Sequence, residues 1–191
     1  MNKTFIAALL SASALFTTAT QAADYIIDTK GTHASINFKI KHLGYSWLTG
    51  RFNRFSGNFS YDAAKPNESS ITVSIDPASI DSNHAERDKH LRNSDFLAVS
   101  DFPTSSFISK SITAINDREL LIKGDFTLHG VTNVIEFTAE KIGEGKDPWK
   151  GYRVGFTGTT SIALADYNIT HNLGPASTHV ELELNIEGIR Q

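Results

Sequence analysis

From Ala34 onward most of the chain alternates apolar and polar residues with a period of two, the pattern of strands that bury one face. Ala34, Ile36, Phe38 and Ile40 fall on one side, with Ser35, Asn37 and Lys39 on the other. Phe55, Gly57, Phe59 and Tyr61 repeat this against Ser56, Asn58 and Ser60, and Ile71, Val73 and Ile75 alternate with Thr72 and Ser74. Further on, Leu120, Ile122, Phe126 and Leu128 alternate with Lys123, Asp125 and Thr127, and Ile135, Phe137 and Ala139 oppose Glu136, Thr138 and Glu140. Tyr152, Val154, Phe156, Ile162 and Leu164 share a face. Val180, Leu182, Leu184 and Ile186 close the series against Glu181, Glu183, Asn185 and Glu187. The segment around Phe107, Ile108 and Ile112 reads as a strand of ambiguous phase.

Turn signals separate these runs. His129-Gly130 leaves only two residues between strands, as a tight hairpin requires. Pro66-Asn67, Asn116-Asp117 and Asp147-Pro148 mark other reversals. Short turns make neighbouring strands antiparallel. Strands that each bury one face must close on themselves or pack as two sheets. A meander of about eight strands favours closure into a barrel able to hold one small ligand; a β-sandwich is the alternative. Asn83 to Leu97 breaks the pattern. It is polar and charged, with Ser82 or Asn83 able to cap it, and predicts a short inserted helix followed by a turn at Phe102-Pro103. The Leu43–Leu48 and Asp166–Asn172 stretches read as non-strand connections.

The N-terminus adds a compartment. Lys3 precedes an uncharged, mostly apolar stretch from Phe5 to Phe16, and small residues then lead to Gln21-Ala22-Ala23. This order predicts a secretory signal over residues 1–22, cleaved near Ala22, and an exported product. The apolar run is shorter than the ~20 residues that span a bilayer, so no stable membrane anchor is expected. Removing 22 of the 191 residues leaves one domain, 23–191, and takes the net charge from −3 to −4 as Lys3 is lost. No basic block exists to attract nucleic acid. With no Cys, stability rests on burial, which the 12 Phe can supply.

Specific chemistry is sparse. His84 and His90 are six apart, not at the i, i+4 spacing of a zinc helix, and two residues do not complete a site. His129 falls in a hairpin turn, and His171 and His179 flank a loop, where exposure is expected. There is no Cys nucleophile, no G-x-S-x-G elbow and no phosphate-binding glycine loop. Neither an enzyme nor a cofactor or metal is called for.

Four blocks are more specific than this periodicity. Thr32-His33-x-x-Ile36-x-Phe38 leads to Lys41-His42-x-Gly44 and Gly50-Arg51-Phe52-x-x-Phe55-x-Gly57. Next comes Asn83-His84-x-Glu86-Arg87-Asp88-x-His90-Leu91-Arg92-x-x-Asp95-Phe96, followed by Phe102-Pro103 and Phe107. Gly124-x-Phe126-Thr127-Leu128-x-Gly130-Val131-Thr132 and Leu173-Gly174-Pro175 complete them. In this order and spacing the chain resembles the YceI-like family of bacterial secreted proteins over essentially all of 23–191. The resemblance implies a lipocalin-like antiparallel barrel with a deep apolar pocket. It also implies binding of a polyisoprenoid, such as an isoprenoid quinone or polyprenyl phosphate, in the periplasm, a link to stress responses and, often, a homodimer.

On that reading the prenyl tail is buried by Ile36, Phe38, Phe55, Phe59, Ile71, Val73, Ile122, Phe126, Phe137, Phe156, Leu182 and Leu184, each of which would serve equally as plain core. His42, Arg51, Arg87 and His90 are the candidates for the head group, since Arg suits phosphate and neutral His can bond a quinone carbonyl. For Arg87 and Asp88 the favoured role is to pin the inserted helix. Two other classes stand beside the carrier: an interaction protein with a filled barrel, and an enzyme acting on a lipid-like substrate.

Overall fold

A computed structural model describes residues 22–191. The expected signal segment, apart from Ala22, lies outside the described residues. Strands β1 (Ala23–Ile27), β2 (Ser35–His42), β3 (Ser46–Phe52), β4 (Phe55–Tyr61), β5 (Ser70–Ile75) and β6 (Ile80–Asp81) precede one helix, α1 (Ala85–Leu91). Strands β7 (Ser105–Ala114), β8 (Glu119–Leu128), β9 (Val131–Lys146), β10 (Tyr152–Ala163) and β11 (His179–Arg190) follow it. All pair antiparallel, and the order β1-β4-β5-β7-β8-β9-β10-β11 closes because β11 also pairs with β1. The result is a closed eight-stranded barrel, not a sandwich; closure leaves the ring without an open edge.

Three staves of this barrel are bent. The C-terminal end of β11 pairs with β1 (Tyr25↔Arg190) and its N-terminal end with β2 (Val180↔Ile40), so β1 and β2 form one stave broken between them. β4 and β3 continue the pattern as the next stave, and β5 and β6 as the one after. These bends let a short ring of strands wrap a tall interior. Buried side chains such as Ile27, Ile36, Phe38, Val73, Ile122, Phe126, Val154 and Leu182 follow the inward phase of their strands.

Two irregularities explain where the alternation fails. In β7 the register shifts between Ser109 and Ser111, so Phe107 and Ile112 both point inward although five residues apart, while Ile108 is exposed. In β9 a second shift skips Ile142, which is pushed out to solvent.

Two expected boundaries are corrected. The Leu43–Leu48 connection shrinks to three residues, because Leu43 and Gly44 both adopt positive φ (52° and 81°) and the Tyr45 N–H closes the turn on the His42 carbonyl at 3.0 Å. β3 then starts at Ser46, hidden in the sequence because Trp47 and Leu48 put apolar groups on both faces. The inserted helix covers Ala85–Leu91, not Asn83–Leu97, and its cap is His84, whose Nδ1 accepts the Arg87 N–H at 3.2 Å. Asn83 is unavailable: it sits at φ 62° with its N–H on the Asp81 carboxylate. Ser82 is engaged by Asp88. Among the described residues no helix is long and apolar enough to cross a membrane.

Candidate functional site

The inward faces do not fill the barrel. They enclose a cavity of about 680 Å³, within the usual range for small-molecule sites. It runs from the α1 end, where Lys41, His42, Arg87, His90, Asn172 and Ser177 rim it, to the far end, where Ser60, Tyr61, Ser69 and Ser70 reach it. Between these fringes the wall is aliphatic and aromatic, save for Thr157, Thr160 and Ser105. Of the residues expected to bury a tail, all but Phe55 line the cavity. Phe55 stands beside the break between β3 and β4, where it pairs with Ile75 and packs on the core from outside the lining.

Several lining residues carry no usable sequence signal. Ile40, Leu48 and Phe52 follow strand phase, but Leu91, Phe96 and Leu97 come from α1 and the turn after it, and Ile169 and Leu173 from the long β10–β11 connection. Irregular segments have no periodicity by which to assign a face.

The mouth is built around α1. Asp88 is buried, and its Oδ1 accepts the Ser82 N–H at 2.8 Å and the Ser82 hydroxyl. Arg87 donates from Nε to the Ser82 hydroxyl at 2.7 Å and from Nη2 to the Ser82 carbonyl. Arg87 therefore lines the cavity with two nitrogens already holding the chain that enters the helix. Replacing Asp88 by Ala strands two buried donors, an expected loss of about 2 kcal/mol read from the urea midpoint. His90 bonds Asp95 at 3.1 Å through Nε2 and meets Phe96 edge-on, with rings 4.9 Å apart. Its ring also faces that of His171 at 5.7 Å, so three segments converge on one side of the rim.

Not every candidate comes to the mouth. Arg51 lies on the outer wall, 3.9 Å from Asp81 in a polar trough with Asn37 and Thr49, because Phe52 takes the inward position beside it. His129 is not exposed as expected. It is half-buried, bonding the Tyr167 carbonyl at 2.9 Å through Nδ1 with its ring 4.7 Å from that of Phe102. His171 and His179 are exposed.

The densest charge cluster lies on the outer wall. Arg153 Nη1 is 2.6 Å from both Asp28 and Glu187, and its Nε is 2.9 Å from Asp147. His33 adds a 2.9 Å contact to Asp28. Asp28, His33 and Glu187 are close enough together to ligate a metal. The guanidinium already occupies the position a cation would take, which makes this a structural staple.

Comparison with known proteins bears on the cavity directly. A family model described as the YceI-like domain matches residues 25–188. The chain belongs to the YceI-like family. A UPF0312 protein of Shewanella baltica (strain OS185) is 53% identical over 191 residues, covering all of both chains. Among solved structures, the YceI protein of Campylobacter jejuni is similar at a TM-score of 0.72 and 26% identity, over 80% of this chain and 90% of that one. A polyisoprenoid binding domain from Saccharophagus degradans, implicated in plant cell wall breakdown, matches at 0.67 and 17% identity, over 90% and 100%. At that identity the likeness is one of fold. Family membership and the enclosed apolar space together describe this YceI-like chain as a barrel with a ligand-sized apolar interior.

Proposed function

We propose that the protein is a periplasmic carrier or sequestering protein for a long polyisoprenoid, either an isoprenoid quinone or a polyprenyl phosphate. The observation that carries this reading is the cavity itself: a tall, enclosed, almost wholly apolar space with polar groups confined mainly to its ends. Such a wall suits a ligand that is mostly hydrocarbon and has one polar terminus. Each methylene taken from water contributes ~0.8 kcal/mol, less the entropy of ordering a floppy chain. The neighbour named for polyisoprenoid binding shares the barrel that provides this space.

The head group sits at the α1 rim. There His42 and His90 offer donors or acceptors to a carbonyl, and Arg87 offers the guanidinium nitrogen not engaged with Ser82 to a phosphate. Native mass spectrometry of protein from its own host, followed by organic extraction, tests the reading. One polyisoprenoid per barrel is the expected result. Protein that is empty and takes up neither quinones nor polyprenyl phosphates would sink it.

A further inference from the structure

The β2–β3 hairpin projects at the rim of the cavity with its largest apolar groups in water. Tyr45 is 87% exposed, Leu43 57% and Trp47 47%. The ammonium groups of Lys39 and Lys41 lie 4.9 and 5.6 Å from the centre of the Trp47 ring. Lys39 is paired with Glu181 at 2.9 Å, whereas Lys41 and His42 carry no acidic partner among the described residues. The loop over residues 172–178, which reaches the hairpin through the Ser177 hydroxyl on the Lys41 carbonyl, contains no acid either. Leu43, Lys41 and His42 also line the cavity, so the apolar surface of the tip runs into that of the interior.

We propose that this hairpin docks the barrel on an anionic lipid bilayer, with Leu43, Tyr45 and Trp47 entering the interface and Lys41 meeting lipid phosphates. Trp and Tyr rings favour the head-group level, and a lysine stem lies along apolar surface while its charge stays wet. A tip of three side chains, two on the turn and one at the start of β3, is far smaller than the ~1,000 Å² that a stable protein interface needs, but it is enough for reversible interfacial binding. Docked this way, the mouth opens onto the bilayer, and a tail passes between bilayer and cavity without crossing water. That purpose rests on the carrier reading; the docking itself does not.

The two Trp residues supply the test, because Trp149 lies in the β9–β10 connection at the opposite end of the barrel, 73% exposed. Full-length protein, as its host processes it, is made as Trp149→Phe, which leaves Trp47 to report, and as Trp47→Phe, which leaves Trp149. Each is titrated with vesicles of mixed phosphatidylethanolamine and phosphatidylglycerol, and with phosphatidylcholine alone. Expected are a blue shift of Trp47 emission on the anionic vesicles, weaker with phosphatidylcholine, no shift of Trp149, and a several-fold loss of partitioning in Tyr45→Ser. An unmoved Trp47, or an equal shift of both, overturns the docking. Uptake of isoprenoid quinones and polyprenyl phosphates of short chain from vesicle-free buffer, read by native mass spectrometry, reports the cavity alone. Uptake with an unmoved Trp47 ends the docking and leaves the carrier reading standing; a Trp47 shift without uptake does the reverse.

Discussion

Ile122→Trp is expected to abolish polyisoprenoid binding while leaving the barrel folded. Ile122 lies midway along β8, buried, between Ile112 on β7 and Phe137 on β9, and it faces the cavity. An indole there projects into empty space. Overpacking therefore falls at or below the ~1–3 kcal/mol typical of filled cores. The same indole blocks the passage along which a tail must lie. Excluding one isoprene unit of about five carbons at ~0.8 kcal/mol per carbon removes ~3–4 kcal/mol, a loss of binding of at least ~100-fold. Thermal melting and ligand titration, run side by side, separate the two effects. A folded variant that binds like the parent would show that the ligand does not occupy the barrel.

The second large effect concerns stability, and it comes from the cluster around Arg153. Asp28 is 4% exposed, accepts the Gly31 N–H at 2.8 Å, and meets His33 and Arg153 through its other oxygen. It ties the bend between β1 and β2 to β10. Replacing it by Ala leaves Arg153 with Asp147 and Glu187 but strips the bend of its anchor, an expected cost of about 3 kcal/mol by urea denaturation. The His33 hydrogen bond, and after it the Arg153 guanidinium, outweigh burial and hold the Asp28 carboxyl at about 2, below the ordinary 3.8.

The folded value lies below the unfolded one. The stabilisation is therefore fully present above pH ~4 and is lost as pH falls through about 2. The amount at stake is ~2 kcal/mol, from ~1.4 kcal/mol for each unit of difference. Stability of the parent should fall across this window more steeply than that of Asp28→Asn, measured by urea midpoints at successive pH values. Equal slopes would mean that another carboxylate dominates acid unfolding.

Both effects depend on side chains whose facing the sequence shows to different degrees. The inward phase of Ile122 is plain from its alternation with Lys123 and from Phe126 and Leu128 further along. The role of Asp28 is not plain at all, because its partner Arg153 is 125 residues away. The two-residue turn at His129-Gly130 was legible because both residues need positive φ, which only a few residue types tolerate (50° and 72°). The phase of β7 was not, because a bulge between Ser109 and Ser111 leaves no local mark. The cap of α1 was misplaced for a related reason. Ser82 and Asn83 have the right chemistry, but Asp88 and Asp81 claim them first.

Taken alone, the sequence determined most of the strand pattern, though not β1, β3 or β6, together with the tight turns, the existence of one inserted helix and, through its four blocks, the family. These are local properties, set by side-chain type and spacing along a single segment. Tertiary structure alone decided that the barrel closes through β11 onto both β1 and β2, that about 680 Å³ stays open inside it, and that α1 and the 164–178 connection complete the rim. It also turned Arg51 outward and brought Asp28, Asp147, Arg153 and Glu187 together. Cavity volume is the small difference between the space a ring of staves encloses and the volume of the side chains pointing into it. Both quantities depend on pairing between residues far apart in the chain, and no period along one strand contains that information.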